Sequence, residues 1–145
     1  MCYHVLVKAV VLDTSVLVSA LRSARGASFE IMTALGRGEF EVCVSVSLVL
    51  EYEATLLRHA EELSIDSKDA LGVVDYVCDV AMNQDIFFLW RPFLRDAGDD
   101  LVLELAVAAG SDAIVTHNVR DFEGAEKFGV RVITPKQFLH ELRGR

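Results

Sequence analysis

A chain of 145 residues makes about one domain. At that length folding hides roughly two thirds of the surface the unfolded chain exposes, so a core forms without disulfides or a structural metal. An apolar fraction of 52% and a mean hydropathy of +0.35 exclude a disordered chain, and a net charge of −8, from 14 basic and 22 acidic residues, argues against bulk binding to nucleic acid unless local charge placement overrides the sum.

In chain order the spacing predicts a strand over residues 8–12, helices over 14–21 and 27–37, a strand over 41–45 and helices over 47–63 and 67–84. A strand over 86–89, a helix over 99–109, strands over 113–116 and 130–133, and a helix over 135–142 complete the chain. Punctuation supports several of these: Gly36 and Gly38 stop the second helix, Ser64, Asp66 and Ser67 are cap candidates, and Pro135 opens the last helix. Alternating strands and helices imply βαβ units, a parallel sheet and helices on both faces, hence an α/β fold in one domain over residues 1–145.

The opening "MCYHVLVKAVVLD" is apolar only in short pieces, interrupted by Lys8 and Asp13. It is too short for a membrane span and lacks the cleavage pattern of a signal peptide, so a cytoplasmic protein is expected. Cys2, Cys43 and Cys78 form no CxxC pair and have no zinc-type His spacing, which reads as free thiols in a reducing compartment.

In an open parallel sheet, ligands bind beyond the carboxyl ends of the strands, so each strand-to-helix junction is a site candidate. "VVLDTSVLVSALRS" ends its first strand on Asp13, which by itself suits a helix N-cap. "EVCVSVSLVLEYEATLLR" carries Glu51 and Glu53; a helical wheel puts Val49, Tyr52, Leu56, Ala60 and Leu63 on one stripe with Glu53 near it and Glu51 away from it. "LRDAGDDLVLELAVAAG" places Asp96, Asp99 and Asp100 ahead of an apolar helix. Asp99 fits an N-cap, and Asp100 shares a face with Glu104. "AIVTHNVRDF" sets His117, Asn118, Arg120 and Asp121 after the fourth strand, where Asn and Asp also serve as turn residues.

One cleft collecting Asp13, a Glu of the third helix, Asp100 and Asn118 or Asp121 explains these residues better than four independent caps. Converging carboxylates repel unless a cation sits among them. With oxygen ligands and no thiolate or His set, that cation is Mg²⁺ or Mn²⁺, suited to activating water at a phosphodiester.

With these motifs in view, "VVLDTSVLVSAL", "SVSLVLEYEATLLR", "DDLVLELAVAAGSDAIVTHNVRDF" and "GVRVITPKQF" together resemble the PIN-domain family, in its bacterial and archaeal toxin branch of VapC-like ribonucleases, from about Val10 to Phe138. The resemblance implies a three-layer αβα sandwich with a parallel sheet of four or five strands. It also implies metal-dependent cleavage of RNA by the toxin of a toxin-antitoxin pair. It carries Asp13, Glu51 and Asp100 onto the catalytic metal-binding positions, choosing Glu51 over the wheel's Glu53. The fourth position falls to Asn118 or Asp121, of which Asp121 supplies a carboxylate for metal, and Thr14 and Thr116 are hydrogen-bond supports. A homodimer and an antitoxin partner are implied as well, the latter laying apolar side chains in a groove between helices and offering an Arg to the acidic site.

Arg22, Arg25, Arg58, Arg91, Arg95 and Arg120 are candidates to line an RNA groove. The apolar cluster Phe87, Phe88, Trp90, Pro92 and Phe93 suits core or interface. The competing reading is an inactive PIN-like module that binds RNA or protein without cutting, kept open by Asn118. A receiver-type signalling domain fits less well, since it wants adjacent acids after the first strand and a late Lys where the chain has "AIVTHN". A haloacid-dehalogenase-type phosphatase needs an Asp where the chain has Ser15.

Overall fold

Val10, Val11 and Leu12 are consecutive and each has no exposed surface, which requires a strand covered on both faces. The computed structural model, which describes residues 8–86 and 93–144, provides that setting. Its elements run β1 (Lys8–Leu12), α1 (Thr14–Arg22), α2 (Ala27–Ala34), β2 (Phe40–Val44), α3 (Val46–His59), α4 (Ser67–Val80), β3 (Met82–Asn83), α5 (Ala97–Ala108), β4 (Ala113–Val115), β5 (Arg131–Ile133) and α6 (Pro135–Arg143). Two short 3₁₀ turns, Val119–Phe122 and Ala125–Phe128, lie between β4 and β5.

The sheet has the order β3-β2-β1-β4-β5, and every pairing is parallel. This is the expected αβα sandwich with five strands. The chain runs outward from β1 to β2 and β3, then crosses back to β4 on the other side of β1. The reversal of strand order therefore lies between the carboxyl ends of β1 and β4, where such sheets bind ligands.

Buried aliphatic side chains from β1, β2 and β4 form the core with Leu17, Ile31, Leu48, Tyr52, Leu56, Leu103, Leu105 and Phe138. Phe40 and Phe138 meet edge to face with centroids 5.1 Å apart, tying α6 to β2. Tyr52 is wholly buried and donates its phenol to the Leu12 carbonyl at 2.5 Å. That bond fixes α3 against the last residue of β1, and burial holds the phenol well above its ordinary pKa.

α3, α4 and α6 begin on capping side chains. Ser45 accepts from Leu48 N–H at 3.2 Å to start α3, and Asp66 from Asp69 N–H at 2.7 Å to start α4. Thr134 and Gln137 form a reciprocal capping box ahead of α6, with Pro135 in its first turn.

The four largest departures from the expected boundaries have local causes. α2 stops at Ala34 rather than residue 37, because Leu35 turns to extended backbone and Gly36 takes φ 80°, a conformation that favours glycine. α3 stops at His59 rather than 63, ahead of a turn with Ser64 at φ 57°. α4 stops at Val80 rather than 84, since Met82 and Asn83 pair with Cys43 and Val44 of β2. The third strand is this short Met82–Asn83 pair and not residues 86–89: Ile86 lies outside any strand, and 87–89 lie outside the described residues.

The apolar cluster and Arg91 also fall outside the described residues, except Phe93, which packs edge-on against Phe128 at 5.2 Å. Cys43 is buried and Cys78 half-buried, both as free thiols. Among the described residues no helix is long and apolar enough to cross a membrane.

Candidate active site

Asp13 follows β1 directly, and its backbone N–H bonds the Val115 carbonyl of β4 at 2.9 Å, so it stands at the sheet's reversal point. It occupies the N-cap position of α1, yet its side chain caps nothing there. Instead Ser15 Oγ and Thr116 Oγ1 donate to Asp13 Oδ2, at 2.8 Å and 2.7 Å.

A carboxylate oxygen accepts, which makes both hydroxyls donors to it; Thr116 Oγ1 in turn accepts from Asn118 N–H at 3.0 Å, and Ser15 Oγ from His117 N–H at 3.2 Å. Thr116 has no exposed surface and Asp13 only 8%. Two donors on Oδ2 restrict rotation of the carboxylate. Thr14, the other expected support, is buried at the start of α1.

Glu51 lies half-buried on α3, where its Oε1 accepts from Thr55 Oγ1 at 3.1 Å. It shares a cleft of about 530 Å³ with Asp13, Asp96, Asp99 and Asn118. Glu53 is not among the residues lining that cleft; its charge acts on Cys78 of α4 and helps raise that thiol's pKa, behind desolvation and Asp75. Both carboxylates are half-buried; the wheel ranks proximity to an apolar stripe, whereas the cleft lies at the flank of α3, facing the start of α5.

That start is built by Asp96, whose Oδ1 accepts from Gly98 N–H at 2.7 Å and Asp99 N–H at 3.2 Å. Asp96, and not Asp99, is therefore the N-cap. Asp96 precedes the first helical residue, Ala97, while Asp99 is already inside the first turn. A Cβ at Gly98 would sit 2.9 Å from Asp96 Oδ1 and 3.9 Å from Glu51 Oε1, so glycine leaves room for two carboxylates to crowd this helix end.

Asp99 faces Asp13 across the cleft. Desolvation, followed by the charges of Asp13, Asp96, Asp121 and Asp100, pushes its carboxyl up to about 7. Asp100 is turned the other way: its Oδ1 accepts from the amides of Leu94 at 2.9 Å and Phe93 at 3.2 Å. Asp121 lies in an adjoining cleft of about 680 Å³ with Asp96 and Asp99, and its amide bonds the Asn118 carbonyl at 2.9 Å.

The structure thus brings Asp13, Glu51 and Asn118 into one cleft, sets Asp121 in the next, and puts Asp100 behind Asp99. Asp96 and Asp99 were visible in the sequence as acids but not as cleft residues. Their mutual spacing of three on a first helical turn was the available signal.

The donor set is all oxygen, which suits a hard divalent cation. Among the described residues no three His, Cys, Asp or Glu side chains close on a single point as a finished cage. His117, at the rim, bonds Ser28 Oγ through Nε2 at 2.8 Å and ties the β4 loop to α2.

Comparison with known proteins places this geometry. The chain overlays on one chain of the crystal structure of VapBC2 from Rickettsia felis bound to a DNA fragment from their promoter, with a TM-score of 0.58 at 15% identity, covering 87% of this chain and 98% of that chain. At that identity the likeness concerns the fold. No curated protein gives a significant match. The PIN-domain family matches residues 9–120, which span β1 through the loop after β4 and include Asp13, Glu51, Asp99, Asp100 and Asn118. The chain belongs to the PIN-domain family.

Proposed function

We propose that this protein is an endoribonuclease that hydrolyses RNA phosphodiesters with Mg²⁺ or Mn²⁺, and that it is the toxin of a toxin-antitoxin pair. The observation that carries the nuclease reading is the gathering of Asp13, Glu51, Asp96 and Asp99 in one cleft at the reversal point of a PIN-domain sheet.

Asp13 and Glu51, with Asp99 between them and Asp121, are the residues to hold the cation, directly or through its waters. When bound, the cation supplies a nucleophilic water and offsets charge on the leaving oxygen. The protein's own part is positional. Ser15 and Thr116 restrict rotation of Asp13, Thr55 orients Glu51, and Asp100 fixes the backbone at Phe93 and Leu94 ahead of α5. Asn118 offers an amide rather than a carboxylate at the mouth, so Asp121 is the stronger fourth ligand.

The antitoxin reading is supported by the toxin-antitoxin complex that shares the fold and by an apolar groove of about 790 Å³ lined by Leu17, Leu21, Phe29, Met32, Val73 and Tyr76, suited to an amphipathic segment. A homodimer goes with the same reading, and exposed Val46 and Leu50 on α3 offer it apolar surface. Light scattering tests that assembly.

The function is tested by incubating wild type and Asp13→Asn with structured and single-stranded RNAs in Mn²⁺, in Mg²⁺ and in EDTA. Cleavage should require the metal and fall by at least about a hundredfold in the variant. RNA binding without cleavage in every lane would instead support the inactive module.

A further inference from the structure

The loop after β4 carries cleft residues on a segment that the sheet does not hold. The strand covers only Ala113–Val115. Once Thr116 N–H has donated to the Ile133 carbonyl at 2.9 Å, the chain leaves the sheet through two 3₁₀ turns before β5. Yet this loop places Asn118 in the acidic cleft and Asp121 in the adjoining one. Asp121 shares its cleft with Asp96 and Asp99, and like charges gathered in one cleft repel, so the loop needs an anchor that holds it inward.

One half of the anchorage runs to Asp13. His117 N–H donates to Ser15 Oγ and Asn118 N–H to Thr116 Oγ1, and those two hydroxyls are the donors to Asp13 Oδ2. Loop backbone and Asp13 carboxylate therefore form one hydrogen-bonded unit, and a shift of the loop is felt at the carboxylate. The other half runs outward through the His117 ring. His117 is exposed, yet its Nε2 lies 2.8 Å from Oγ of Ser28, a residue of α2 with only 1% exposure. Either tautomer of the ring makes this bond, as donor or as acceptor. Ser28 does not line the acidic cleft, whereas His117 does, so whatever Ser28 contributes to the site passes through His117.

Resting on the nuclease reading, we infer that His117, seated on Ser28, is a positioning residue for the cation site: its ring clamps the loop after β4 to α2, so that Asp13, Asn118 and Asp121 are set before a cation arrives. Groups already held in place bind without the entropic cost of being ordered at that moment. Without the clamp, repulsion from Asp96 and Asp99 is free to move Asp121 and its loop outward, and the backbone shift loosens the two hydroxyls that hold Asp13. The role requires no proton transfer and no contact between the ring and the cation.

The test titrates Mn²⁺ into the metal-free protein by calorimetry at neutral pH, with melting temperatures taken on the same samples. Ser28→Ala removes the seat of the ring and leaves every residue that lines the acidic cleft in place. Its Kd for Mn²⁺ should rise about tenfold, the lower end of what loss of a partner that orients a metal ligand costs. His117→Leu should weaken binding to the same degree, and the double variant no further, because both substitutions break one bond. His117→Gln, whose amide reaches as far as Nε2 and bonds a hydroxyl as donor or acceptor, should stay within about twofold of wild type. His117 is exposed, so its variants test the clamp even if Ser28→Ala, at a buried position, fails to fold. A bond with a purely structural role would lower the melting temperature and leave Kd unchanged; that result, with a wild type that binds Mn²⁺, overturns the positioning role while the nuclease reading stands. Additive losses in the double variant, or a Gln variant as weak as the Leu variant, overturn it as well, since the ring would then act by a route other than Ser28. A folded wild type that takes up no Mn²⁺ fails the nuclease reading itself, and the positioning role falls with it.

Discussion

Asp13 owes its role to two hydroxyls rather than to its place before a helix. Thr116→Val keeps the shape of a fully buried side chain but removes the donor to Asp13 Oδ2 and the acceptor for Asn118 N–H. Leaving those groups unpaired costs about 1–3 kcal/mol of stability. It also frees the Asp13 carboxylate to rotate, so the Mn²⁺ concentration for half-maximal cleavage should rise several-fold, while Thr116→Ser stays near wild type. A Mn²⁺ activation curve alongside a urea melt separates the two effects. Asp99 gives a pH signature. Its carboxyl is raised from 3.8 to about 7, so between those values the folded state binds a proton that the unfolded chain has released. Stability from this residue is therefore present below about pH 4 and is lost as pH rises through about 7. The metal-free wild type should lose melting temperature relative to Asp99→Asn across that window, and Mn²⁺ should restore it above pH 7. A difference that does not change with pH would exclude Asp99 as a buried, charge-crowded acid. At this scale the sequence was only partly legible. An Asp after "VVL" could be named from its junction and Glu51 from the family resemblance, against the helical wheel, but the choice among Asp96, Asp99 and Asp100 depends on where α5 begins, which a run of three acids in five residues leaves open.

At the scale of elements, strands and helices were readable wherever periodicity and caps agreed. β1, β2 and β4 follow from unbroken β-branched runs, and α6 from Pro135 and the Thr134–Gln137 box. The third strand was misread because "DIFFLW" is far more apolar than "MN", and hydropathy measures burial rather than pairing. Met82 and Asn83 pair with β2 through their backbone alone, and both side chains are exposed. α6 provides a test of structure without function. It packs against α2, away from the acidic cleft, so Thr134→Ala should lower stability by about 1 kcal/mol through loss of the cap and leave kcat and KM for RNA unchanged. An effect on cleavage at conditions where the variant is fully folded would mean α6 communicates with the cleft.

For the whole molecule, the strand order explains why residues 13, 51, 99 and 118, far apart in sequence, share one cleft. The chain leaves β1 in one direction and returns to its other side, so the ends of β1 and β4, the later turns of α3 and the start of α5 face a common space. Alternation of elements predicts a parallel sheet but not its order, which is why the cleft could be suspected from the sequence while its lining could not be assigned. The net charge of −8 takes on a specific meaning in that setting, since part of it is concentrated in the cleft, where the proposed divalent cation would offset it. Cleavage assays depend on finding the right RNA, whereas cation binding does not. The most direct measurement is therefore a calorimetric titration of Mn²⁺ into the protein at neutral pH, with Asp13→Asn alongside. Saturable binding to the wild type that is lost in the variant is the expected result; a wild type that takes up no Mn²⁺, while folded, would contradict the carboxylate–metal centre on which the account stands.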